Sequence, residues 1–483
     1  MRVLLPVSTV VAAFFMALAA APAWAEEGQE APGAPSEDGP EKPLELPDTD
    51  GPATDSERRE DDLFGGDDED PEKPPEPTST RFDTDFDPLA IGGQIYLRLN
   101  GSISDRGAFG KQALTMPNLV DVYLDARPED RVRAFVQGRL RYDPTIADGS
   151  RDALGRTQRA ATVLLDQLWL KTDIARTVFL TVGKERIKWG SSRLWNPTDF
   201  ANRQRRDPVV FFDERVGVPM LKVHVPWETF NFYALALLGE ANRFDRPAGV
   251  LRAEFAFPSV EISASAIAGA DRKTTFGLDI SAALGPIDVT LEAALIDERD
   301  TIRYSGNLDF EELQVPVGQP DGKWRPAISA SVLWSANVFD NDLITIGAEY
   351  FWNPGGSDRP DLYPWQVLTG SLEPFYLGQH YAALFVLLPN PGDWDRWTFN
   401  LSAIGNLSDR SFITRFDAIA TLHTRLRLEA FAMGHVGTRG GEFRFALDVP
   451  AIPAIPGVLE EPFPGFSLAA PAFSAGCNLR LTL

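Results

Sequence analysis

The last eleven residues, Phe473–Leu483, alternate so strictly that few folds can use them. Cys477, Leu479, Leu481 and Leu483 fall on one side, and Asn478, Arg480 and Thr482 on the other. Side chains of a strand alternate between its two faces, so this segment separates an apolar medium from a wet one. A chain that ends on such a strand is expected to be a transmembrane β-barrel. The opposite end supports export. Residues 1–25 carry one charge at Arg2, an apolar run from Val10 to Ala21, and Ala23-Trp24-Ala25 before Glu26. This reads as a secretory signal peptide with a small-x-small cleavage site, without the cysteine of a lipoprotein.

Residues 26–90 form an acidic, Pro-rich tail expected to be disordered in the periplasm. Residues 26–87 hold 23 Asp and Glu against 5 Lys and Arg, so most of the net charge of −23 sits there. The rest is close to balance, which argues against a nucleic-acid partner. Asp61–Gly66 is the one apolar interruption, a candidate docking peptide for a periplasmic partner. The single cysteine, Cys477, excludes internal disulfides and Cys-built metal sites.

Residues 91–483 break into eighteen runs of period two, from 94–104 to 473–483. Every second connector is a short turn. The others include every long one: 105–118, 143–161, 185–216, 297–324, 353–378 and 436–472. An even count places both ends in the periplasm, beside the signal peptide and the terminal strand. Segment 441–448 also reads as a strand and is assigned to an extension above the membrane, giving about eighteen strands (16–18). The fold class is therefore all-β, an antiparallel transmembrane barrel in contact with outer-membrane lipid, assembled by recognition of its C-terminal strand. Tyr142, Trp169, Trp227, Trp334, Trp352 and Trp397 read as aromatics of the outer girdle.

The alternation turns Arg98, Asp121, Arg133, Arg139, Arg141, Lys222, His224, Arg252, Glu254, Asp279, Glu349, Arg415, Asp417, Arg425, Arg427, Glu429 and Arg480 inward. An arginine facing lipid at the midplane would cost ~2–4 kcal/mol, so inward charge by itself proves only the barrel. The distribution says more. The first and last three strands are rich in arginine, and closure makes them neighbours facing Asp279, Glu292 and Glu349 across the lumen. Planar guanidiniums suit carboxylates and phosphates. The candidate solute-binding residues are Arg98, Arg133, Arg139, Arg141, Arg415, Arg425, Arg427 and Arg480. To these the third loop adds Trp189, Arg193 and Trp195. A loop this long is expected to fold inward and narrow the lumen.

Leu168-Trp169-Leu170, Val178–Gly190 and Trp195-Asn-Pro-Thr-Asp199 resemble a pattern of Gram-negative porin-like outer-membrane barrels. There a strand ending in a Gly-Arg-Gln-like step runs into Trp-Gly and an Asn-Pro loop. Lys184-Glu185 stands where Arg-Gln is usual, and Leu483 where Phe is common. More distantly the pattern is similar to alginate-export barrels. That resemblance implies passage of an acidic polysaccharide along Arg133, Arg139, Arg425 and Arg427. The expected function is a channel for diffusion or export of polar, anionic solutes or polysaccharide. The alternative is a non-conducting barrel of an envelope machine, docked through its acidic tail. Four histidines without a nucleophile motif argue against an enzyme.

Overall fold

The computed structural model describes residues 88–106, 114–129, 131–150, 157–210, 212–239, 246–270, 272–309, 314–338, 342–371, 373–451 and 465–483. The signal peptide and all but the last residues of the tail lie outside them. Leu89 and Ala90, assigned to the tail from sequence, belong to the first strand.

Eighteen long strands follow in chain order: β1 (Leu89–Ser104), β2 (Asn118–Glu129), β3 (Val132–Tyr142), β4 (Ala161–Ile174), β5 (Val178–Glu185), β6 (Val218–Trp227), β7 (Phe230–Leu237), β8 (Ala248–Phe257) and β9 (Val260–Gly269). The second half comprises β10 (Arg272–Leu284), β11 (Ile287–Asp297), β12 (Trp324–Val338), β13 (Asp342–Trp352), β14 (His380–Pro389), β15 (Trp397–Asn406), β16 (Ser411–His423), β17 (Leu426–Gly437) and β18 (Pro471–Thr482). Each pairs antiparallel with the next. β18 returns to β1 from Gln94↔Thr482 to Ser104↔Pro471, so the sheet closes. Closure leaves no edge with unpaired backbone groups, a condition for spanning hydrocarbon. Segment 441–448 adds no barrel strand. Glu442–Arg444 is a 3-10 turn, and Leu447–Val449 pairs with Phe466–Leu468 above the barrel.

The apolar residues of the alternation face outward and stay exposed: Ile91 at 68%, Val163 at 76% and Leu384 at 62%. A surface of this kind around a closed barrel is suited to lipid. The buried cluster lies inside instead, between the barrel wall and Ile187, Leu194, Trp195, Phe200 and Ala201 of the third loop.

One irregularity repositions several side chains. Gln137 pairs with Gln167 but Gly138 pairs with Leu165, so Asp166 is an extra residue in β4. This bulge turns both Asp166 and Gln167 inward, while Leu165 and Leu168 remain outside at 43% and 51% exposure. Trp169 consequently lines the lumen, stacked on Phe135 at 5.4 Å, and is not part of the outer girdle. Beside it, β5 bends at Gly183, whose φ is +130°. A Cβ there would lie 2.1 Å from the Leu168 carbonyl oxygen. Gly183→Ala is expected to destabilise the barrel by about 1–3 kcal/mol, measured as a lower urea midpoint in lipid vesicles. An unchanged midpoint would show that the bend is not required.

Candidate functional site

The third loop, residues 186–217, crosses the lumen and docks on both walls. Its first arm meets the acidic wall. The Ser192 and Thr198 amides donate to Glu292 at 2.6 and 3.2 Å. The Leu194 and Trp195 amides donate to Glu349 at 3.0 and 2.8 Å. Asn196 Nδ2 and Thr198 Oγ1 add bonds of 3.0 and 2.7 Å to Glu292, and Thr198 Oγ1 also reaches Asp279. Arg272 holds the Phe200 and Ala201 carbonyls at 3.2 and 3.1 Å. Buried carboxylates satisfied by several donors are tolerable in a way that bare ones are not. Asp279, Glu292 and Glu349 therefore serve as the loop's mooring and do not present a bare acidic wall to the lumen.

The second arm crosses to the basic wall. Phe212, 2% exposed, packs against Tyr96 and Leu119. Glu214 is the convergence point. Arg98 pairs with its carboxylate, and Arg141 approaches the other oxygen at 3.4 Å. Arg139 and Arg141 donate to its main-chain carbonyl at 3.0 and 3.2 Å. Arg215 braces the loop internally, at 2.7 Å from Asp199 and 2.6 Å from Asp213. Burial pushes the Asp213 carboxyl up, but the Arg215 hydrogen bond and charge outweigh it and hold the group below the usual range.

The structure sorts the sequence candidates. Arg98, Arg139 and Arg141 come together at Glu214. Closure also sets Arg427 opposite Arg480 on adjacent strands, with Arg480 3.6 Å from Glu429. Arg415 pairs with Asp417 at 2.7 Å and lies 4.1 Å over the Phe431 ring. Arg133 forms a fork with Asp125, both bonds at 3.0 Å, and covers the Trp169 ring. Arg139 is wholly buried, in a fork of two 2.8 Å bonds to Asp121 and 3.0 Å from Asp166. It organises the wall and is closed to solute.

Three placements differ from expectation. Arg425 is exposed in the turn between β16 and β17, because the strand begins only at Leu426. Trp195 has no exposed surface: it stacks 5.8 Å from Phe351, and its Nε1 donates to the Phe375 carbonyl at 3.0 Å. Arg193 lies with it on the far wall, 3.7 Å over Phe385. Trp189 remains half-buried between Tyr233 and Arg252. Sequence reasoning missed Asp166 and Glu214. Asp166, a lone acid within Val163-Leu-Leu-Asp-Gln-Leu168, carried a signal; Glu214, one acid among several in a polar loop, did not. Among the described residues, no group of three or more His, Cys, Asp or Glu is arranged to hold a metal ion.

OccAB1 of Acinetobacter baumannii superposes with a TM-score of 0.51 at 8% identity, over 82% of this chain and 96% of that one. The fold is that of an outer-membrane barrel. OccK1 (OpdK) of Pseudomonas aeruginosa gives a TM-score of 0.48 at 9% identity, over 82% and 98%. OccK5 (OpdH) of the same organism gives 0.47 at 10%, over 82% and 98%. No protein-family model and no curated protein matches the sequence. The similarity to alginate-export barrels rests on the sequence pattern alone.

Proposed function

We propose that the protein is an outer-membrane channel for small polar solutes with a preference for anions, narrowed by its third loop. The observation that carries this reading is the crossing of the loop from Glu292 and Glu349 to Arg98 and Arg141. A strap moored on opposite walls divides the lumen into narrow passages, which suits small solutes better than a thick polymer. With the acidic wall capped by loop amides, the charge of β1–β3 and β16–β18 lies in arginine–carboxylate pairs, and at the strap two arginines, Arg98 and Arg141, share the one Glu214 carboxylate. Charged rings of this kind set ion preference in pores.

Planar-bilayer recording tests this. The protein should give steady current, with a reversal potential on the anion side in a salt gradient. Glu214→Gln removes the carboxylate shared by Arg98 and Arg141. One unit charge at about 4 Å is worth about 1 kcal/mol in water, so the anion-to-cation permeability ratio should rise roughly fivefold. A cation-selective pore would overturn the anion preference. A barrel that stays silent after removal of residues 190–215 would favour the second reading, a structural barrel whose acidic tail binds a periplasmic partner. The density of buried mooring bonds is what keeps that alternative alive.

A further inference from the structure

On the barrel wall, arginines of the lumen are held by carboxylates: Arg133 by Asp125, Arg139 by Asp121 and Asp166, Arg415 by Asp417. The middle of the strap is different. It lies between Phe200, whose carbonyl Arg272 holds on one wall, and Phe212, packed on the other. There residues 203–207 read Arg-Gln-Arg-Arg-Asp, three cations against one carboxylate. None of the three arginines enters an ion pair among the described residues.

Arg206 is the least available of them, because its charge acts on both Asp207 and Asp213. Asp207 is faced by Arg415 as well and accepts the Val209 amide at 3.0 Å. Arg205 lies 5.0 Å over the Tyr376 ring. An aromatic face offers no acceptor oxygen, so the five N–H donors of that guanidinium stay available. Three acids act on the same tyrosine. Asp199 is bonded to Arg215 and Asn202, and Glu292 to amides of the strap. Glu373 is exposed on its loop, where water and salt screen it. Arg203 is exposed and has no partner among the described residues.

We propose that Arg203 and Arg205 form the solute seat of the constriction, and that the seat takes a small dianion such as a short dicarboxylate.

The seat rests on the channel reading for the arrival of its solute and gives that channel a ligand. Residues two apart have Cα atoms within about 7 Å of each other. Each guanidinium can grip a carboxylate by two oxygens, so this spacing suits one carboxylate at each end of a short carbon chain. A monoanion would leave one arginine unanswered. An exposed arginine in water needs no partner, and on an outer surface the pair would signify little. On a strap that every solute must pass, the same two charges are met at short range.

Titration calorimetry of the full chain in detergent micelles, at low salt and pH 8, tests the seat without current. Sodium succinate should bind at a concentration roughly fivefold lower than sodium butyrate, the factor for one further unit charge at about 4 Å in water. Arg203→Gln, which disturbs no bond among the described residues, should narrow that difference, and Arg203→Gln with Arg205→Gln should abolish it. Asp207→Asn, which keeps an acceptor oxygen for the Val209 amide, should widen it, a gain that a merely structural role would not give. Arg299→Gln, an equal change of charge at a residue held by Asp297, should leave it unmoved. Equal binding of the two anions by the wild type, or a succinate preference that survives the double variant, overturns the seat. Anion-selective current beside either result would leave the channel reading standing without this seat. A silent barrel that binds succinate only with both arginines present would sink the channel reading and keep the seat.

Discussion

Trp195→Ala will raise single-channel conductance severalfold and make the third loop cleavable by trypsin, while leaving the barrel folded. The indole is wholly buried, stacked on Phe351 and bonded to the Phe375 carbonyl. Removing a buried tryptophan costs about 3–5 kcal/mol. That loss falls on the docking of the loop, because the β-ladders on either side do not pass through it. The backbone bonds to Glu292 and Glu349 remain available, yet they depend on the arm being held flat against the wall. The readout is paired: conductance in bilayers, and protection of Arg203, Arg205 and Arg206 from trypsin. Unchanged current together with unchanged protection would mean that the carboxylate bonds alone fix the loop.

Arg139→Ala will act on the barrel itself. It strands Asp121, 1% exposed, and Asp166, 0% exposed, without their shared guanidinium. Breaking a buried charge set from one side costs about 3–5 kcal/mol, and Arg186 compensates only at Asp166. The expected result is a sharp fall in the heat-resistant, fast-migrating form on gels. Combining Arg139→Met with Asp121→Asn and Asp166→Asn should restore most of it, since the loss comes from unpaired charge and not from missing bulk. If the triple variant folds as poorly as Arg139→Ala, packing of the side chain against Phe212, 5.1 Å from its ring, is the larger factor.

The barrel was legible because its two constraints are local. Alternation such as that of Arg133 to Leu140 needs only neighbouring residues, and short turns such as Gly285-Pro286 punctuate it. Closure then follows from an even count. The site was less legible because it depends on distant partners. That Arg139 is consumed by Asp121 and Asp166 requires knowing that β2, β3 and β4 adjoin and that β4 carries an extra residue at Asp166. The same bulge moved Trp169 from the predicted girdle into the lumen. Glu214 lies 116 residues from Arg98, with which it pairs, and Trp195 lies 180 from its carbonyl acceptor on Phe375. Charge lists on single strands misplace Arg425, which falls in a turn, and cannot tell a solute-facing arginine from a structural one.

The third loop touches Tyr96 of β1 through Phe212 and Tyr381 of β14 through Trp195. Its landing sites are therefore scattered over most of the chain and exist together only once the wall has been rolled up. The two landing sites face each other only across a closed wall, so seating of the strap depends on closure of the barrel and cannot precede it.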